Sequence, residues 1–222
     1  MKSISTSLFN KSVFINCPLD KKYLAILKAM IFTIKIPGLE PNLASAFNDC
    51  SEKRLDKIEN LIKSCKYSIH DLSRMTAIKK GDFARMNMPF ELGLDFGCKK
   101  YASSACLKDK KILVMDKEQY RIHRALSDFS GIDIFSHNEK EYDVIELIGN
   151  WLQDAIEEIE DFPGPSFVWG WYKTDFPAFL VIEARERDIL LREIYSCSIL
   201  QYKKLVSKFL LNFKPAIRYQ YF

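Results

Sequence analysis

Between residues 12 and 160, short apolar runs alternate with longer segments whose apolar positions recur every three or four residues. That rhythm predicts strands alternating with helices. Residues 12–18, Ser-Val-Phe-Ile-Asn-Cys-Pro, form an apolar run ended by proline. A buried first strand looks like this, with Asn16 and Cys17 at its carboxyl end. Residues 23–32 are apolar at most positions and predict a helix buried between layers. Pro37, Gly38 and Pro41 leave room for only a partial strand within residues 35–46. Ser51, a suitable N-cap, leads the clearest amphipathic helix, in which Leu55, Ile58, Leu61, Ile62 and Cys65 share one face.

A second strand follows at Tyr67 and ends in the polar cluster Asp71, Ser73 and Arg74. After a loop with the charged stretch 79–82, which reads as solvated, a helix is expected to start near Asn87. Asn87 can cap it, and Pro89 suits its first turn. Glu91 lies about one turn in, and Gly93 and Gly97 form a side-chain-free stripe that allows close approach to a sheet or a ligand. Residues 111–116 and 131–135 read as two further strands, the first ended by Asp116. Residues 118–129 and 139–159 read as helices, the second through Val144, Ile145, Ile148, Trp151, Leu152, Ala155, Ile156 and Ile159.

The sum is an α/β fold, a doubly wound parallel sheet of about five strands with both faces covered. Pro163-Gly164-Pro165 ends it, setting a boundary between an α/β domain at 1–162 and a helical extension at 163–222. The extension contains helices within 177–211 and is too short for an independent fold. Its aromatic residues Trp169, Trp171 and Tyr172 read as packing groups.

Composition changes this picture only by exclusion. The 222 residues are 48% hydrophobic and 13% aromatic, enough for a packed core. Thirty-three basic and 29 acidic side chains give a net charge of +4, with the signs interspersed. That balance does not favour nucleic acid or an anionic membrane as a partner. Six scattered cysteines and three histidines have no metal-ligand spacing, so the cysteines read as reduced thiols and no metal or other cofactor is expected. No run reaches the length of a membrane span, and a cytoplasmic location is expected. The Rossmann and P-loop glycine patterns are both missing, which disfavours hydride and phosphoryl transfer.

Doubly wound sheets bind ligands at the carboxyl ends of their strands, where Asn16, Asp71, Ser73, Asp116 and the start of the Glu91 helix would gather. An acidic residue near a helix N-terminus is ordinary by itself. In this setting Glu91 is the candidate catalytic residue, able to stabilise or attack a sugar cation as an N-glycosidic bond breaks. Asn16, Cys17, Asp71, Ser73, Arg74, Arg85 and Asn87 are the candidate substrate-binding residues. The two arginines are suited to phosphate or carboxylate groups.

The segments 14–18, 69–74 and 85–93, ending in Arg-Met-Asn-Met-Pro-Phe-Glu-Leu-Gly, together resemble the bacterial TIR-like proteins related to the nucleoside 2-deoxyribosyltransferases. The resemblance covers roughly residues 12–160 and implies a flavodoxin-like sheet. It implies a catalytic role for Glu91, sugar contacts for Asp71 and Ser73, and a base pocket at Asn16 and Cys17. Two departures stand out: Asn16-Cys17 replaces the Ser-Tyr or Ser-His pair of many TIR domains, and Asn87-Met88-Pro89-Phe90-Glu91 replaces the usual Trp-Cys-x-x-Glu. What the resemblance implies is cleavage of NAD or a related nucleotide in antiviral defence, by a homo-oligomer that the C-terminal helices are expected to join. The alternatives are a nucleoside deoxyribosyltransferase or nucleoside hydrolase, and a non-catalytic nucleotide sensor or adaptor.

Overall fold

Five parallel strands form one sheet in the order β2-β1-β3-β4-β5. They are β1 (Ser12–Asn16), β2 (Glu40–Asn42), β3 (Tyr67–Asp71), β4 (Lys111–Asp116) and β5 (Phe135–Ser136). This is the flavodoxin-like order, with its switch point between β1 and β3. The computed structural model describes residues 6–44, 52–77, 79–80, 84, 86–129, 131–159 and 161–213. Ser51 and Arg85 lie outside them.

Successive strand residues point to opposite faces, and this pleat divides the core. Val13, Ile15, Ile69, Leu113 and Met115 face one way, into the main hydrophobic cluster with α2 (Leu24–Lys35) and α6 (Glu141–Ala155). Phe14 packs on the other face with Ile58 and Ile62 of α3 (Arg54–Ser64). Val114 on that face packs with Leu92 of α4 (Asn87–Tyr101). Eight residues of α2 are buried, because this helix is covered on both sides. Burying each large side chain contributes about 1.5–3 kcal/mol.

The second cover is the C-terminal extension. Helix α7 (Pro165–Gly170) runs through one wide turn, 171–175, into α8 (Phe176–Glu186), followed by α9 (Leu191–Tyr195) and α10 (Ile199–Asn212). Phe32 of α2 meets Tyr172, Phe176 and Phe209 at ring separations of 5.4, 5.5 and 5.9 Å. The extension therefore shares the core of the α/β unit, and Tyr172 packs as its sequence pattern predicts. Among the described residues no helix is long and apolar enough to cross a membrane.

Three local expectations are corrected. Residues 118–129 do not form a continuous helix: they make two short 3-10 turns, Ile122–Arg124 and Ser127–Phe129. Tyr120 at φ 60° breaks the helical path, and Arg121 is drawn inward to Asp116. The fifth strand is Phe135–Ser136 rather than 131–135. Helix α4 starts at Asn87, but the residue before it, Met86, holds the cap position, and no side chain caps the helix.

The glycine stripe of α4 is corrected in its first half, the close approach to the sheet. Gly93 and Gly97 do not lie against the sheet; with Phe90, Leu94 and Ile62 they line an open groove of about 540 Å³ between α3 and α4. A Cβ at Gly93 would meet no atom within 4 Å. Gly93→Ala is therefore expected to stabilise the fold by about 0.5–1 kcal/mol, the helix-propensity difference alone. A raised urea midpoint with unchanged slope is the expected readout; a loss would mean that the glycine is needed for contact.

Candidate functional site

The pleat that divides the core also divides the polar residues at the carboxyl edge. His70 and Asp71 are adjacent on β3, so they point to opposite faces and enter separate networks.

On the α4 face, Asn16 at the end of β1 donates one amide hydrogen to the Met88 carbonyl at 2.9 Å and lies 3.0 Å from His70 Nδ1. His70 Nδ1 thus accepts, leaving Nε2–H to donate to Asp95 Oδ2 at 3.0 Å. Asp95 Oδ1 faces the Lys110 ammonium at 3.3 Å, and Lys110 donates to the carbonyls of Ile62, at 2.8 Å, and Cys65. All four side chains are buried. The chain of bonds fixes the first turn of α4, through Met88, to the end of β1. Glu91 belongs to the next turn.

On the α2 face, Asp71 Oδ2 accepts from Tyr23 Oη and from His137 Nε2 at 2.8 Å, and Oδ1 accepts from the Ser73 N–H at 2.8 Å. His137 Nδ1 accepts the Glu139 N–H at 3.1 Å, which puts the ring proton on Nε2. Asn138 and Glu139, at φ 51° and 54°, turn the backbone so that this contact closes. Ser73 Oγ is 3.1 Å from the same Nε2. Serine, histidine and aspartate are present, but a nucleophilic triad needs serine and aspartate on opposite ring nitrogens. Here both sit on Nε2. The cluster locks three loops together and does not activate Ser73.

Asp116 closes the edge at β4. Arg121 grips both its oxygens, with Nε at 3.2 and 2.9 Å, and also reaches the Leu72 carbonyl and the Thr76 hydroxyl. Burial raises the Asp116 pKa despite the arginine.

Glu91 differs from all of these. Its side chain is only 7% exposed, and its ion-pair partner among the described residues is Arg54 Nη2, at 3.9 Å. Among the described residues it accepts no hydrogen bond. Burial pushes its pKa up, and the Arg54 charge offsets this only in part. Cys17 is buried beside it; desolvation, with the charges of Asp71, Glu91 and Asp20, holds the thiol well above its usual pKa. Cys17 is therefore a neutral thiol and an apolar wall, not a thiolate nucleophile.

Of the predicted site residues, the structure gathers Asn16, Cys17, Asp71, Ser73 and Glu91 at one edge. Asp71 and Ser73 are enclosed and occupied by their own network. Arg74 is held by Asp20, at 3.1 Å, and by Glu139, bridging the loop after β1 to the loop after β5. Asn87 is exposed. Tyr23, Arg54, His70, Asp95, Lys110, Arg121 and His137 were not singled out from sequence. His70 carried a local signal, a histidine inside an apolar strand; His137, in a loop, carried none.

Asp71 and Asp95 predict acid lability. Desolvation alone would raise each, but the hydrogen bonds of His137 and Ser73 to Asp71, and the hydrogen bond of His70 with the Lys110 charge beside Asp95, hold both below the ordinary carboxylate value. With folded pKa values below the unfolded one, the unfolded chain binds more protons in acid. The stability they contribute is complete above about pH 5 and is lost as pH falls below about 4. The urea midpoint should drop from pH 5 to pH 3, and Asp71→Asn should flatten that drop.

Comparison with protein-family models, curated proteins and solved structures finds no match to this chain.

Proposed function

We propose that this chain cleaves the N-glycosidic bond of NAD or a related nucleotide, with Glu91 as the reacting carboxylate. The observation that carries the reading is the state of Glu91. It is shielded from water, free of hydrogen bonds among the described residues, and next to a strand edge where flavodoxin-like sheets hold ligands. A carboxylate engaged by no hydrogen-bond donor has its oxygens available to face a developing sugar cation.

In the proposed reaction a Glu91 oxygen faces C1′ of the ribose. As the C1′–N bond breaks, its electron pair goes to the pyridinium nitrogen, and nicotinamide leaves neutral. Glu91 either stabilises the cation or bonds to it, and water completes the hydrolysis to ADP-ribose. No proton has to be delivered to this leaving group. That matters because the other carboxylates at the edge are committed: Asp71 to Tyr23, Ser73 and His137, and Asp116 to Arg121. A nucleoside base would need a proton donor as it leaves, which this arrangement of carboxylates does not supply.

One observation favours the nucleoside reading. Arg74, expected to hold phosphate, is paired with two carboxylates, so a ligand without phosphates would cost the site less. A role as a nucleotide sensor would use the same pocket without turnover. As the resemblance implies, the setting would be antiviral defence and assembly would contribute, so the assay spans a range of protein concentrations.

The test is chromatography of products after incubation with NAD, and separately with deoxynucleosides. Nicotinamide release from NAD is the expected result. Base release from deoxynucleosides alone would move the assignment to a transferase or nucleoside hydrolase. Binding of NAD without any product would identify a sensor.

A further inference from the structure

A second cavity, of about 380 Å³, lies between the N-terminal half of α2 and the C-terminal helices. It is built from different residues than the Glu91 edge. Lys21, Lys28 and Lys173 line it against a single carboxylate, Glu141. Tyr172, Phe176 and Tyr202 supply aromatic walls.

The lysines are not equivalent. Lys173 is spent: it pairs with Glu141 at 2.5 Å and lies 4.9 Å from the centre of the Trp169 ring. Lys28 is half-buried and has no carboxylate partner among the described residues. Its ammonium donates to the Tyr195 carbonyl at 2.9 Å and sits 5.2 Å from the Tyr202 ring centre. Those contacts fix the head group without neutralising it. Lys21, seven residues earlier in the turn before α2 and also without an ion pair among the described residues, stands at the rim. A half-buried cation without a counter-ion, set among aromatic rings, is matched by an anion carrying a planar ring.

We propose that this cavity binds a small anionic aromatic molecule, its negative group paired with Lys28 and Lys21 and its ring lying among Tyr172, Phe176 and Tyr202. The volume falls in the range of small-molecule pockets. The site is separate from Glu91 and does not depend on the chemistry proposed there. It lies close to that edge in the chain: Asp20, one residue before Lys21, holds Arg74, and Glu139, two residues before Glu141, holds it from the other side.

The test is calorimetric titration of the full chain with adenosine 5′-monophosphate and with salicylate, which share the chemistry but represent a nucleotide and an aryl carboxylate. Adenosine and inorganic phosphate serve as the ring and the charge taken separately. Saturable binding of at least one anionic ring is expected, tighter than either half alone, and the tighter of the two names the source. Lys28→Met should weaken it about tenfold or more, the effect of one charge-assisted hydrogen bond. Lys21→Met, on an exposed side chain that folding does not need, should weaken it by a smaller factor. Lys66→Met, a lysine of neither site, should leave it unchanged.

No binding of either probe at millimolar concentration overturns the proposal. So does binding that ignores the substitutions at Lys28 and Lys21, or that follows Glu91→Gln instead, since the probe would then occupy the other site.

Discussion

Glu91→Gln is expected to reduce nicotinamide release from NAD by at least about 10²- to 10³-fold, the loss typical of removing one electrostatic stabiliser of a transition state. The same substitution should leave the fold as stable as before, or more stable. Burial raises the Glu91 pKa, so the charged form costs stability in the folded chain. Its folded pKa lies above its unfolded one, so the folded chain holds the proton longer, and stability falls as pH rises between the two values. A neutral amide of the same shape removes that cost at neutral pH. Activity and urea midpoint should therefore move in opposite directions. An acidic residue serving only the helix dipole would give the reverse: unchanged activity and slightly lower stability. Release that persists in the variant would remove Glu91 from the site.

Lys110→Met is expected to produce the largest stability loss of any single substitution considered for this chain, about 3–5 kcal/mol, because it leaves the buried Asp95 carboxylate uncompensated. The carbonyls of Ile62 and Cys65 lose a donor at the same time. In a chain of this size that corresponds to a melting temperature lower by roughly 10 °C or more. Lys66→Met is the control. Its partner Asp109, at 3.2 Å, is exposed, and a pair of that kind contributes about 0–1 kcal/mol. Equal small losses for the two lysines would show that Asp95 is relieved by another route, such as protonation or water entry.

The two experiments bear on different links of one structure. The Lys110–Asp95–His70–Asn16 chain ties β1 to Met88, and α4 carries Glu91 one turn on. Loss of the buried lysine should therefore appear first as stability, and loss of Glu91 first as chemistry.

Much of the scaffold was legible because it is periodic. Apolar runs at 12–17, 67–71 and 111–116 became β1, β3 and β4, and the amphipathic pattern at 139–159 became α6. The segment 118–129 has a composition that allows a helix, but sequence does not show that Arg121 turns inward to the buried Asp116. The stripe at Gly93 and Gly97 allows close approach to a sheet or a ligand, and the structure leaves it off the sheet, since sequence shows where side chains are missing but not what stands opposite.

The sequence by itself determined the alternation of strands and helices, the polar residues that end each strand, and the position of Glu91 near the start of α4. These are local properties, set by spacing along one segment. Only the tertiary structure decided partners. Asp71 and His137 stand 66 residues apart in the chain, Arg74 and Glu139 65 apart, and Lys28 and Tyr195 167 apart. A charge pattern states that a cation is present; which carboxylate neutralises it depends on strand order and on the direction each pleat turns a side chain. That is why Arg74 looks available for a ligand in the sequence and is committed in the structure, while Lys28, on a mostly buried helix, has no carboxylate partner among the described residues.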